Sequence, residues 1–177
     1  MNILILVTGS ISAYKAVDIA NSLRYKNHEI KIVCSKAALQ FIPKLTFTGQ
    51  RFECYTDEDE WDSSVSGVLH INLAKWADIL LLAPATSNTI GKFVNGITDN
   101  LLLSIMRAYA GIIYIAPAMN TQMYHNSKVF LDKLKDFNTV VIPTQEKLLA
   151  CGDYGIGALA NKNVIIDIIL KEIIVSK

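Results

Sequence analysis

Cysteine is scarce in this sequence, and its spacing builds no framework. Cys34, Cys54 and Cys151 are the only three. An odd number with no C-x-x-C pair argues against both a disulfide scaffold and a zinc site. Charge is sparse as well: 19% of residues are charged, below the roughly 25% of ordinary soluble domains. The net charge is +1 and there is no basic cluster, which leaves no electrostatic footprint for nucleic acid. No apolar run reaches the ~20 residues of a membrane span. The opening MNILILVTGS lacks the basic start and small-residue cleavage site of a signal peptide and reads as a first strand. Repeats and low-complexity linkers are missing too. The expectation is a single domain over residues 1–177, cytoplasmic, with neither nucleic acid nor membrane as a partner.

What the chain does have is apolar residues, 51% of the total, arranged in runs that alternate with amphipathic stretches. Asn2 to Val7 is a continuous apolar run, as a strand buried on both faces requires. Ser12 to Lys26 carries Ala16, Ile19, Ala20 and Leu23 at helical spacing, with Ser12 in the N-cap position. Glu29 to Cys34 and Ile79 to Ala83 read as a second and a third strand, and the acidic YTDEDEWDSS between them as a solvated loop. Further strands are expected at Gly111 to Ala116 and Val140 to Pro143. Helices are expected at Asn100 to Tyr109, Asn126 to Lys135 and Asn163 to Val175; propensity alone would also allow the last to be a strand. Such alternation predicts an α/β fold: a doubly wound, Rossmann-like parallel sheet in three layers, flavodoxin-like.

Ligands of such sheets sit outside the carboxyl ends of the strands, so the loops there hold the chemistry. VTGSISAYK, Val7 to Lys15, places Gly9 at a strand-to-helix turn with Ser10 and Ser12 beside it. This is neither G-x-G-x-x-G nor a P-loop, and it reads equally as a capping turn or a phosphate cradle. APATSNTIGKFVNGITDNLLLS, Ala83 to Ser104, sets Thr86, Ser87, Asn88 and Thr89 directly after a buried strand, where a flat polar heterocycle could be read at its edge. PAMNTQM, Pro117 to Met123, offers Asn120, which both donates and accepts, though such an asparagine can equally be a turn residue. In VLHINLAKWAD, His70 is either a packed core histidine or a base. LLACGDYGIGALA, Leu148 to Ala160, puts a thiol at the root of a glycine-rich stretch.

Taken in order, GSISAYK, HINLAKWAD, PATSNTIGKFVNGITDNLL, PAMNTQM and ACGDYGIGALA resemble the flavin-dependent cysteine decarboxylases, in particular the branch that acts on 4'-phosphopantothenoylcysteine. The resemblance runs from the first strand to about Ala160. It implies FMN as cofactor, with Gly9, Ser10, Ser12, Ser35 and Ser104 at its phosphate and ribityl chain and Ala85, Thr86 and Asn88 at its ring. It implies His70, Asn120 and Cys151 as catalytic residues, with Asn120, Met123, Lys75, Ala150, Gly152 and Asp153 at the substrate and no metal. It also implies homotrimers, or multiples such as dodecamers, in which neighbouring copies complete each flavin site.

By the same resemblance, residues 148–160 form a mobile clamp over the substrate, hinged at Gly152, Gly155 and Gly157. The implied reaction oxidises the cysteine to a thioaldehyde, which gives the departing carboxylate an electron sink. The enethiolate left behind needs hydride and a proton. A thiol is mostly protonated at pH 7, which suits Cys151 as the acid. Family members often carry a basic or bulky residue after the clamp's second glycine, or Arg-Met after the third. Here Ile156 and Ala158-Leu159 stand instead, so the holder of the substrate phosphate is not among the motifs. The ligase that joins cysteine to phosphopantothenate is expected on a separate polypeptide. Two neighbouring activities fit less well: a peptidyl-cysteine decarboxylase, which generally lacks the ACGD clamp, and a flavin prenyltransferase, which lacks PAMN. A non-catalytic flavin-binding regulatory subunit would carry long acidic extensions.

Overall fold

The computed structural model describes residues 1–62 and 67–175. Six strands form one parallel sheet in the order β3-β2-β1-β4-β5-β6. These are β1 (Asn2–Val7), β2 (Glu29–Cys34), β3 (Glu53–Tyr55), β4 (Ile79–Ala85), β5 (Ile113–Pro117) and β6 (Thr139–Val141). Strand order reverses between β1 and β4, which pair from Ile3↔Ile79 to Leu6↔Leu82. That is the topological switch point at which doubly wound sheets open a ligand crevice.

The apolar runs of β1 and β4 are central because only a strand covered on both faces can bury every side chain. Alternation divides them between two layers. Ile3, Ile5 and Val7 pack against Ala16, Ile19 and Leu23 of α1 (Lys15–Arg24) and Ile165, Ile166 and Ile169 of the last helix. Leu4 and Leu6 face the opposite layer, which is built from α3 (Leu69–Trp76), α4 (Ser87–Val94) and α5 (Leu101–Ala108). Each fully buried Leu or Ile contributes about 1.5–3 kcal/mol relative to exposure. Asn100 starts α5 by accepting the Leu103 N–H at 2.9 Å. Thr86 caps α4, accepting from Thr89 at 3.4 Å.

The remaining helices are α2 (Lys44–Thr48), α6 (Thr121–Asn126), α7 (Lys128–Lys133) and α8 (Lys162–Val175). The expected helix from Asn126 to Lys135 is thus broken. Ser127 is buried at the break, and its hydroxyl lies 2.6 Å from that of Ser87. Ser12 is not the first N-cap. The chain enters a 3-10 turn over Ile11–Tyr14 capped by Ser10, whose Oγ accepts from Ser12 N at 3.1 Å.

Two elements were not expected. The short β3 precedes the acidic stretch, which is a folded turn rather than a solvated loop; its last residues, Ser63 and Ser64, lie outside the described ones. A second, antiparallel sheet joins β7 (Gln145–Leu148) to β8 (Tyr154–Ala158). The stretch expected as a clamp, residues 148–160, falls largely on this hairpin. It is seated on the start of α6 by Met119 N–H to Gly157 O at 2.9 Å and Thr121 Oγ1 to Ile156 O at 2.9 Å.

Candidate active site

Thr8, directly after β1, locks the crevice at the switch point. Its buried hydroxyl donates to Pro84 O at 2.6 Å and accepts from Thr86 N at 3.1 Å. The loops after β1 and β4 are therefore held in one fixed relation. Sequence reading passed over this residue, although a hydroxyl closing an apolar run just before Gly9 was a visible signal. Gly9 itself is required by packing, since a Cβ there would stand 2.5 Å from the Ala37 Cβ, in the loop after β2. Ser35 caps that same loop, its Oγ accepting from Ala38 N at 3.2 Å.

A cleft of about 430 Å³ opens beside this junction. Ser10, Ser12 and Lys15 line one wall, Met119 and Asn120 another, and Lys147, Ala150 and Cys151 of the hairpin a third. Asn120 caps α6, its Oδ1 accepting from Met123 N at 2.8 Å. That bond fixes the side chain and leaves the exposed Nδ2 as the donor. Cys151 is an exposed free thiol that donates to Asp153 Oδ2 at 3.3 Å. The turn carrying it is closed by Leu149 N to Asp153 O at 2.8 Å.

The hairpin glycines are not alike. Gly152 sits at φ +92° with nothing near the position of a Cβ, as a pliable turn needs. Gly157, at φ +117°, would place a Cβ 2.6 Å from Met119 O, and at Gly155 it would run into Thr121. These two allow close seating on α6 rather than supplying hinge freedom, which corrects the expectation for them.

The structure brings Ser10, Ser12, Asn120, Ala150 and Cys151 together, with Gly152 and Asp153 in the same turn and Met123 one helical turn along α6. Gly9, Ser35, Ala85, Thr86 and Asn88 sit at the neighbouring strand ends. Three expected residues stand apart. His70 and Lys75 belong to α3 and Ser104 to α5, in the layer opposite α1. His70 is not among the residues that line the cleft shared by Asn120 and Cys151.

His70 nonetheless has a built environment. Its Nδ1 lies 2.5 Å from Glu60 Oε1, and its backbone N–H donates to Glu60 Oε2 at 3.1 Å. A carboxylate accepting at Nδ1 puts the proton on that nitrogen and leaves Nε2 open. The acidic turn is itself anchored: Asp59 accepts from Thr56 N at 2.6 Å and Lys44 at 2.8 Å, and Asp57 from Leu101 N at 3.0 Å. Burial alone would raise the Asp59 carboxyl, but Lys44 and Thr56 outweigh it and hold it below its ordinary value. Lys147, also missed, is held below the ordinary lysine range by burial and by the nearby Lys15 ammonium.

Fold and cleft define a class: a doubly wound α/β protein whose ligand crevice, at the β1–β4 switch point, presents hydroxyl, amide and ammonium donors. The family model described as Flavoprotein matches residues 1–174. The chain is 41% identical to phosphopantothenoylcysteine decarboxylase of Arabidopsis thaliana over 170 residues, covering 92% of this chain and 80% of that protein. A cysteine-to-serine mutant of PPC decarboxylase complexed with pantothenoylaminoethenethiol superposes with a TM-score of 0.89 at 38% identity, covering 95% of each chain. The FMN-binding protein AtHal3 matches with a TM-score of 0.85 at 39% identity, covering 95% of this chain and 94% of that one. The chain belongs to the flavoprotein family, in its phosphopantothenoylcysteine decarboxylase branch.

Proposed function

We infer that the chain decarboxylates 4'-phosphopantothenoylcysteine to 4'-phosphopantetheine with FMN as cofactor, a step of coenzyme A biosynthesis. One observation carries this reading: the cleft sets Asn120 and Cys151 across from the Ser10–Ser12 turn, in a chain 41% identical to an enzyme of that name.

The donor set fits FMN. Ser10, Ser12, Lys15, Asn120 and Lys147 face the cleft, and among the described residues no carboxylate lines it, so a phosphate meets donors there. Ser10 and Ser12 would hold FMN with Ser35, Ala85, Thr86 and Asn88 of the adjoining strand ends. A single glycine turn offers no pyrophosphate cradle, which disfavours FAD. FMN, when bound, supplies the two-electron oxidation of the substrate cysteine and the return of hydride.

The chain's own residues do the rest. Asn120, its Oδ1 committed to Met123, offers Nδ2 to the substrate carboxylate and orients the bond that breaks. Cys151, on the hairpin turn, delivers the proton to the enethiolate carbon. The turn at Gly152 lets the hairpin close and exclude water from that carbon. His70 Nε2 is the base, and because α3 lies in the opposite layer it serves the cleft of a second copy. Lys75 and Ser104, also outside the cleft, reach the site through the same assembly, a trimer or a multiple of three. We place the protein in the cytoplasm, downstream of the reaction that joins cysteine to phosphopantothenate.

Purified protein tests this directly. It should be yellow, release FMN on heating as identified by mass, and evolve carbon dioxide from phosphopantothenoylcysteine. A colourless protein that cannot rebind FMN, or one that leaves the substrate intact, contradicts the reading.

A further inference from the structure

Cys34 and Cys54 take no part in the reaction, yet the fold sets them side by side. Cys34 ends β2 and Cys54 is the middle residue of β3. The two strands pair with Ile32 opposite Cys54, so Cys34, the next residue but one after Ile32, projects from the same face of the sheet. Both thiols are buried in the layer that packs against α1, and their sulfurs stand 3.9 Å apart. A buried cysteine alone is a small apolar residue. Two with neighbouring sulfurs have a second chemistry, because loss of two hydrogens joins them.

Each thiol stands at the root of a loop that builds the site. Cys34 leads into Ser35, which caps the loop whose Ala37 packs on Gly9. Cys54 leads into Thr56, whose N–H and hydroxyl both donate to Asp59. The residue after Asp59 is Glu60, which holds His70. β2 is hydrogen-bonded on both sides, whereas β3 is an edge strand of three residues paired with β2 alone. An S–S bond is about 2.0 Å long, so oxidation draws the sulfurs together by about 1.9 Å. β3 is the strand free to move.

We propose that Cys34 and Cys54 form a dithiol oxidation site at which hydrogen peroxide makes a disulfide, and that the resulting shift of β3 loosens the hold of Glu60 on His70 and slows flavin reduction. Cys54 reacts first, forming a sulfenic acid and releasing one water. The Cys34 thiol then displaces a second water and closes the S–S bond. Two thiols give up two electrons and two protons, and one peroxide becomes two waters. The shared hydrogen bond with Cys34 holds the Cys54 thiol below its ordinary value, against burial, as the attacking sulfur requires. The same bond, together with burial, pushes the Cys34 thiol up. In a reducing compartment such a disulfide is transient and regulatory, and a dithiol reverses it.

The effect on flavin rests on the reaction given under Proposed function; the disulfide itself does not. The test uses holoenzyme carrying Cys151→Ser, so that the exposed cleft thiol cannot react with peroxide, and follows the half-reaction that does not need Cys151. After peroxide treatment, a tryptic digest should contain one peptide pair joined through Cys34 and Cys54, lighter than the reduced pair by two hydrogens. Flavin reduction in a single turnover should slow about 10-fold or more, the scale of a lost hold on the base, and recover with dithiothreitol. Cys54→Val, which suits a strand, and Cys34→Ala each remove one sulfur; in the same background, either should reduce flavin at the untreated rate before and after peroxide.

Folded protein whose two thiols stay free under peroxide overturns the site. A joined pair that leaves the rate unchanged overturns the coupling to His70, as does equal slowing when Cys54 or Cys34 has been replaced. Protein that reduces no flavin even before peroxide contradicts the function, and the digest still decides the oxidation site.

Discussion

Glu60 grips His70 at two atoms, accepting from its backbone N–H at 3.1 Å with one carboxylate oxygen and lying 2.5 Å from its Nδ1 with the other. Both bonds are made by one side chain that is only 12% exposed. The ring is thereby fixed in orientation, with Nε2 facing away from the carboxylate. Glu60 acts on the ring through these two contacts and is assigned as a positioning residue.

Glu60→Gln should weaken this hold without unfolding the chain. An amide can offer an oxygen to only one of the two N–H groups and must turn its own NH2 toward the other. Turnover is expected to fall roughly 10- to 100-fold, the scale of a lost hydrogen bond to a charged group. KM should change little, because substrate is bound elsewhere. Stopped-flow measurement of flavin reduction checks this, since base orientation belongs to that half of the reaction. Unchanged kcat would remove Glu60 from the site.

The seating of the hairpin gives a second prediction. Gly157→Ala adds a Cβ 2.6 Å from Met119 O, at a φ of +117°. Strain and clash together should cost more than about 1–3 kcal/mol and displace β8 from α6. Gly152→Ala, at φ +92° with open space around it, meets only the backbone penalty, roughly 1 kcal/mol. Thermal melts should therefore rank wild type, then Gly152→Ala, then Gly157→Ala, with FMN retained in the first two. Equal melting temperatures for the two variants would contradict the close packing.

The placement of His70 in the layer opposite the cleft leads to a third. Chains carrying His70→Asn and chains carrying Cys151→Ser should each be inactive in steady state. Unfolded together and refolded, they should regain a fraction of wild-type activity, since mixed assemblies contain some sites with an intact residue of both kinds. No recovery, from a mixture shown by mass to contain both chains in one assembly, would mean that each site draws both residues from one chain.

Much of this architecture was legible in the sequence where burial writes a strong pattern. Ile3 to Val7 and Ile79 to Ala83 are apolar at every position, and only a central parallel strand buries both faces. Asn100 announced a helix start through its capping chemistry and caps α5; Asn120, read as a ligand donor or a turn residue, caps the unexpected α6. The misses share a cause, which is that tertiary contacts decided them. β3 has only three residues, too few for a period. Glu60, Asp57 and Asp59 look like solvated charges in composition, and only the fold turns them toward His70, Leu101 and Lys44. The hairpin is polar on β7 and glycine-rich on β8, and its strands exist because they seat on α6. The glycines were visible, but whether each serves bending or close approach depends on neighbours a sequence does not show.

Cys151→Ser separates the two halves of the reaction and so tests most directly the assignment of that thiol as the proton donor. Serine keeps the hydrogen-bonding capacity beside Asp153, but its hydroxyl is far less acidic than a thiol. Oxidation and loss of carbon dioxide come before protonation and do not need it. In a single turnover followed by flavin absorbance and carbon dioxide together, the variant should release about one carbon dioxide per flavin, leave its flavin reduced and accumulate the aminoenethiol product. Full turnover to phosphopantetheine, or an equal slowing of both halves, would contradict a proton-donor role for Cys151.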